Sequence, residues 1–450
     1  MPETIVVGAG LVGSVLSIFL AKSGRDVEVF DRMLDPHNNV GPSSGRSINL
    51  TLCERGLRVM DFIGVGDAVR AASVPIYGRL IHNTKGDLTF QPYGNNGEAI
   101  YSIERGELNK ILLEFAERNF DIPFNFGEKC VDVDLDAPAV EMQNVATGER
   151  VRHDAERIFG SDGAYSAVRL QMQRKMRLCY SQQYWEQGYK ELGVPPSTEG
   201  WAAEKNVIHI WPQGSYMLIG FPNTDKSFTC SLHIPFEGPL SFASIRSECD
   251  LFKLFEGSFP DTIPLMPRLA DDFFKHPTNS MVTVKCSPWS YRGKVALIGD
   301  AAHSIFPSYG QGANAGFEDC ATLTECIPEY GEDWVALLEE YERRRRPNTD
   351  AIADLCVDHF FELRDLVGDA GFLLRKEVER RLNLFYPEQY RDLYSMITFT
   401  CMPYTEALRV SRKQHLIVDR ILGVEGVEQR LDSDEVIGLM RELMASHSRE

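Results

Sequence analysis

The stretch "TIVVGAGLVGSVLSIFLAKSGRDVEVFDR", residues 4–32, decides how the chain begins. A short apolar run leads into three glycines, then Leu11, Val15, Ile18 and Leu20 recur along a helix, and "DVEVF" alternates as a strand does. Gly8, Gly10 and Gly13 form G-x-G-x-x-G. The first permits a tight turn, the second lets backbone approach a pyrophosphate, and the third lets helix pack on strand. The helix N-terminus at that turn offers N–H groups to phosphates. Asp31 closes the second strand 18 residues after Gly13, where an acid accepts the ribose hydroxyls of an adenosine half, and Arg32 follows it as a further cofactor candidate. The segment predicts a Rossmann-type unit for a dinucleotide. It does not choose between FAD and NAD, which share the ADP moiety.

Two further stretches bear on that choice. "RIFGSDGAYSAVR" (157–169) sets an apolar strand before Asp162-Gly163, with Ser166 and Arg169 following as a helix opens. "GDAAHSIFPSYGQGANAGFED" (299–319) follows an apolar strand with Asp300, then a turn containing Pro307, then Gly310-Gln311-Gly312 and a helix through Ala313, Phe317 and Ala321. A ligand with a ribityl chain and an isoalloxazine ring needs such a second site: an acid for its hydroxyls, and helix N–H groups facing the charge of the reduced ring. An NAD-only dehydrogenase has no use for it, so the expected cofactor is FAD.

Composition bounds the rest. At 450 residues the chain exceeds ordinary single-domain size, and 43% hydrophobic with 25% charged residues is that of a globular enzyme. A formal charge of −18 speaks against a nucleic-acid partner, whose phosphates call for clustered cations. "RRRR" (343–346) closes an acidic helical stretch and reads as cations at a helix C-terminus. Ten scattered cysteines without a C-x-x-C pair predict free thiols, no metal site and a cytoplasmic setting. No leader pattern or bilayer-length apolar run is present, so no membrane anchor is expected. "YGRLIHNTKGDLTFQPYG" alternates about a turn, and "NVIHIWPQGSYMLIGFPNTDKSFTCSLHIP" reads as three strands. Beyond Pro347 the pattern turns helical.

The three motifs, in this order and over most of the chain, resemble those of the group A flavoprotein aromatic hydroxylases. "ERGELNKILLEFA" adds Arg105 in that family's R-x-x-L-x-x-x-L helix. Among its members, "GRSINLTLCERG" (45–56, with Arg46), "YGRLIH", "QPYG", "HIWP", "FPDTIPLM" and "LYSMITF" resemble the kynurenine-hydroxylating branch. The resemblance implies a para-hydroxybenzoate-hydroxylase-like α/β fold: a discontinuous FAD-binding domain (1–75, 99–178 and 285–346), an inserted β-sheet substrate domain (76–98 and 179–284) and a C-terminal helical region (347–450). It implies that NADPH reduces FAD, that O₂ adds at the flavin C4a carbon, and that the resulting hydroperoxide hydroxylates L-kynurenine at ring position 3. The protein then has to position the ring, exclude water and delay reduction until substrate arrives.

Further roles come with the resemblance. Arg79 would hold the substrate carboxylate as a guanidinium fork, joined by Tyr93 and Tyr394. Pro307 and Gln311 would border the oxygen-transfer space with Tyr394. Gly310, Gly312, Ala313 and Asn314 would contact the flavin beside Asp162, Asp300 and Arg105. His303 would support the loop, and His209 would be a sheet histidine with a satisfied ring. Three departures stand out: Ser308 where the branch has Phe, Ala313 where it has Met, and His359 where it has an Asn contacting the amino-acid head. Losing a Phe-sized wall at Ser308 would widen the pocket, which leaves a ring-substituted kynurenine or another aromatic amine as the alternative substrate. A flavin-dependent halogenase would want a W-x-W-x-I-P segment, and "HIWPQG" does not match it. A non-catalytic flavin protein would need no polar pocket. The sequence leaves open whether the chain acts as a monomer or a homodimer.

Overall fold

The structure is a computed structural model, and it describes residues 2–36, 49–83, 86–94, 97–362 and 369–447. Arg46 lies outside the described residues.

The apolar run at the N-terminus becomes the strand Thr4–Val7, every residue of it buried, at the centre of a six-stranded sheet. It pairs in parallel with Val27–Asp31 on one side and Arg157–Gly160 on the other. Val295–Leu297 and Phe124–Phe126 extend the sheet in parallel, and the short strand Ser290–Tyr291 closes one edge as a hairpin arm. A strand buried on both faces requires helices on both faces. The helix Leu11–Lys22 follows the first strand and packs against the helices Arg105–Phe120 and Gly312–Tyr330. The largest core cluster, including Val6, Leu16, Val29, Phe159, Phe317 and Leu338, fills this layer.

The second large sheet has seven strands, in the order 279–287, 179–194, 228–235, 217–222, 207–212, 78–82 and 88–92. It contains the hairpin expected at residues 77–94 and the three strands expected at 206–235. Two features differ from the expected layout. The strand Asn279–Ser287 pairs with Cys179–Val194 through Cys179↔Ser287, so residues 285–287 belong to this sheet. Residues 248–275 are helical: Glu248–Ser258, Pro260–Leu265 and Leu269–Lys275 cover the outer face over their own core, with Phe255, Phe259 and Phe273. A sheet with one face toward the body needs such a cover for the apolar residues on the other. A three-stranded sheet (128–134, 139–144, 150–154) and a second one (49–52, 100–104, 74–76) complete the β-structure.

The arginine run is placed otherwise than read above. It lies inside one helix, Trp334–Phe361, which continues past Pro347. Arg343 and Arg344 pair outward with Glu340 and Glu329, but Arg345 is buried, its Nε donating to Asp319 at 2.7 Å and its Nη1 to Glu318 at 2.6 Å. The expected boundary at 346/347 therefore falls within a helix. The helices Ala370–Phe385, Leu393–Thr398, Tyr404–Leu422, Val427–Arg430 and Asp434–His447 follow it in the C-terminal region. Among the described residues no helix is long and apolar enough to cross a membrane.

Candidate active site

Packing at glycine brings the three motifs together. Gly8 has φ +107°, and a Cβ there would lie 2.6 Å from the Ser161 carbonyl oxygen; at Gly13 it would lie 1.8 Å from that of Gly8. Ser161 Oγ donates to the carbonyls of Val7 and Gly8, tying the 162–163 turn to the first glycine turn. On the other side, a Cβ at Gly316 would come within 2.5 Å of Val12, so the helix beginning at Gly312 lies directly against the first helix. Asp31 accepts from Ala9 N at 2.7 Å, holding the end of the second strand to the same turn.

The residues present fit an FAD. At Gly10 and at Gly312 a Cβ would meet nothing within 4 Å, and the helices starting there have no side-chain cap. Two uncapped helix N-termini thus belong to helices packed against each other, and such N-termini bind anionic groups. Asp300 is exposed at the start of the short helix Asp300–His303. Desolvation by the protein packed around it raises its carboxyl even so, while His303 and Arg105 draw it back toward the charged form. Asp162 spends one oxygen on the Ala167 and Val168 N–H groups, and its other oxygen is buried without a partner. Arg105 is exposed at the start of its helix, and Arg32 is exposed just after the second strand.

The turn 307–314 divides its residues between two tasks. Gly310 has φ +64°, with no room for a Cβ against Thr51 Oγ1. The Asn314 amide is consumed by the chain: it accepts from Cys53 N and donates to the carbonyls of Thr51 and Gly310. Gln311 is buried and accepts from the Tyr404 hydroxyl at 2.9 Å. Pro307 is exposed, and Ala313 packs at the edge of the core. Ser308 does not line the neighbouring cavity. Its hydroxyl donates to the Cys356 carbonyl, and the short 3₁₀ turn Pro307–Tyr309 presents Tyr309 to the cavity instead. The widening expected from Ser308 is thereby offset by an adjacent phenol.

That cavity, of about 850 Å³, lies between the edge of the seven-stranded sheet and the C-terminal helices. It brings Arg79, Tyr93, His359 and Tyr394 together and adds Tyr309. The Arg79 guanidinium stands 4.8 Å from the Tyr394 ring centroid and 5.4 Å from that of Tyr93, and these two rings stack at 5.1 Å. Arg79 Nη2 donates to His359 Nε2 at 3.2 Å, and the His359 ring lies 4.0 Å from that of Tyr309. Burial, with the cations Arg79 and Lys376 nearby, pushes His359 well below the ordinary imidazole range, so the ring is neutral and accepts at Nε2. Burial likewise raises the Tyr309 and Tyr394 phenols, which keep their protons. A guanidinium backed by aromatic faces, a neutral imidazole and phenolic donors is an arrangement suited to a carboxylate. Beyond His359 the cavity reaches Lys376, which pairs with Glu379 at 3.1 Å.

Two histidines outside the cavity have structural partners. His303 Nε2 lies 2.5 Å from Asp319 in the core, and His209 is held between His82 and the Glu204 carbonyl. Among the described residues no cluster of His, Cys, Asp or Glu has metal-binding geometry. Ser161, Tyr309, Arg55 and Tyr404 have structural roles around the site that the sequence reading did not assign.

The FAD binding domain family matches residues 1–216 and 269–355, leaving out two inner strands of the substrate sheet with the first helices of its cover (217–268) and the C-terminal residues from 356 on. Solved structures share the fold. The tetrameric form of 2-methyl-3-hydroxypyridine-5-carboxylic acid oxygenase superposes with a TM-score of 0.67 over 83% of this chain and 95% of its own, at 23% identity. PqsL of Pseudomonas aeruginosa, a probable FAD-dependent monooxygenase, gives 0.63 over 83% and 99%, at 17%. The family match makes the chain an FAD-dependent flavoprotein, and the relatives that follow make it a monooxygenase. Kynurenine 3-monooxygenases of Flavobacterium johnsoniae (44% identical; 98% of this chain, 98% of theirs), Myxococcus xanthus (40%; 95%, 92%) and Dictyostelium discoideum (39%; 94%, 93%) align along nearly their whole length. The chain belongs to the kynurenine 3-monooxygenase family.

Proposed function

We propose that this protein hydroxylates L-kynurenine at ring position 3, with FAD as cofactor, NADPH as reductant and O₂ as co-substrate, in the cytoplasm. The observation that carries the reading is the Arg79 guanidinium, set against the stacked rings of Tyr93 and Tyr394 and donating to a neutral His359, in a cavity that Tyr309 also lines. The ten free cysteines suit a reducing compartment.

In this reading the α-carboxylate pairs with Arg79, and the Tyr93 and Tyr394 hydroxyls complete its hydrogen bonds. Tyr309 and Tyr394 present aromatic faces to the anilino ring and restrict the water around it. Gly8, Gly10, Gly13 and Asp31 would hold the adenosine and pyrophosphate half of FAD; Arg105, Asp162, Asp300 and the 310–314 turn would hold the flavin half. FAD, when bound and reduced by NADPH, would supply the activation of O₂, one atom of which goes to the ring while the other leaves as water. The chain supplies the aim: a clamped carboxylate fixes which ring carbon faces the transfer space.

The test is direct. Purified protein should carry flavin absorbance, and L-kynurenine should accelerate NADPH oxidation and yield the 3-hydroxylated product. Protein that takes up no FAD, or an NADPH oxidation indifferent to L-kynurenine, overturns the reading. The extension of the cavity past His359 to Lys376 and Glu379, on the side of the amino-acid head, favours as second reading another aromatic amine with a larger head group, which would then be the better accelerator in the same assay.

A further inference from the structure

Between the substrate cavity and the turn that opens the flavin-facing helix stands a buried group to which the reading above gives no task. Arg55, 1% exposed, donates from Nε to the Ile397 carbonyl at 3.2 Å and from Nη2 to the Met402 carbonyl at 2.7 Å. It thereby grips both sides of the bend after the helix Leu393–Thr398, which carries Tyr394 into the cavity. Its guanidinium lies over the Tyr404 ring at 4.0 Å, and its Nη1 pairs with Glu318 at 2.9 Å. Tyr404, fully buried, opens the next helix, and its hydroxyl donates to Gln311 Oε1 at 2.9 Å. Gln311 is the residue from which the helix Gly312–Tyr330 starts, and its Nε2 donates to the Tyr309 carbonyl at 3.4 Å. Tyr309 in turn packs on His359 and Tyr394.

The chain of contacts therefore closes a loop: Tyr394 and its helix, Arg55, Tyr404, Gln311, Tyr309, and back to Tyr394. We propose that Tyr404, braced by Arg55, is a positioning residue that makes the Gly310–Gly312 turn sense whether the substrate cavity is filled. The proposal rests on the kynurenine reading and adds its regulation. Substrate on Arg79 and Tyr394 fixes the helix Leu393–Thr398; Arg55 and Tyr404 pass that register to Gln311; Gln311 sets the turn whose N–H groups face the cofactor. A buried hydrogen bond has one good geometry, so it carries such a shift where an apolar contact would slide.

The test is Tyr404→Phe, which removes one oxygen and keeps the ring under Arg55. FAD content and the substrate-free rate of NADPH oxidation should match wild type, with the thermal midpoint lowered by no more than a few degrees. The acceleration by L-kynurenine should fall about five-fold, the effect of one lost hydrogen bond. The absorption bands of ligand-free bound flavin should shift, because Gln311 Oε1 loses its hydroxyl donor and keeps only the longer contact to the Cys53 thiol. Unchanged acceleration overturns the proposal, and so does loss of FAD, which would make Tyr404 a folding residue only. A wild type unresponsive to L-kynurenine overturns the kynurenine reading alone. The ligand-free flavin spectrum of Tyr404→Phe then decides: a shift upholds the positioning role and identity with wild type ends it.

Discussion

Arg79 shows how much one side chain depends on where its strand ends. Its neighbours along the chain, Gly78 and Leu80, say nothing of a cavity, yet alternation on the strand Gly78–His82 turns Arg79 and Ile81 to the face shared with Tyr93 and Tyr394. Arg79→Met should raise KM for L-kynurenine by roughly 10- to 100-fold, the worth of a charge-assisted hydrogen bond, with FAD content unchanged. Steady-state kinetics and the flavin absorbance of the purified variant check both parts. Ser308 is the counter-example at this scale. Its position in the sequence suggested a pocket wall, but the 3₁₀ turn rotates it toward the Cys356 carbonyl, and a rotation of one residue is not written in a motif.

At the scale of the element, two helix starts and one buried ion network matter most. The starts were legible, because glycine turns followed by apolar periodicity are local signals. The network was not. Arg55, Glu318, Arg345, Asp319 and His303 come from four separate segments and meet only in the fold, with Asp319 bridging His303 and Arg345. Burial works against the charged form of Asp319, yet His303 and Arg345 hold its carboxyl below the ordinary range. Arg345→Met leaves two carboxylates facing each other without their shared cation. It should cost roughly 3–5 kcal/mol in urea unfolding. Arg343→Met, two residues earlier on the solvent side, should leave the midpoint unchanged. The sequence read both alike, as cations at a helix C-terminus, since adjacency in a tract does not tell which member a helix turns inward.

For the molecule as a whole, acid should be felt through buried imidazoles. His209 and His233 are pushed down to about 4 by burial, and His359 lies well below its ordinary value. Below pH 6.5 an unfolded chain protonates these rings while the folded one does not, so each subtracts stability as pH falls from 6.5 through its folded value, and no more below it. His233→Leu should therefore flatten the decline between pH 6 and 4.5 by about 1.4 kcal/mol per pH unit, read from urea midpoints at several pH values. The broad plan was legible at this scale: a Rossmann-type body, an inserted sheet and a helical tail. The helical cover at 248–275 was not, because its apolar residues answer to a sheet face distant in sequence.

The helix Trp334–Phe361 carries one more implication. Its first residue packs on Phe159 of the parallel sheet, and its last turns bring His359 to the cavity. Two folding neighbourhoods hang on a single beam. Cutting the polypeptide beside Pro347 would break that beam in mid-span, so fragments expressed from either side should not reconstitute flavin uptake, and insertions or split designs belong elsewhere.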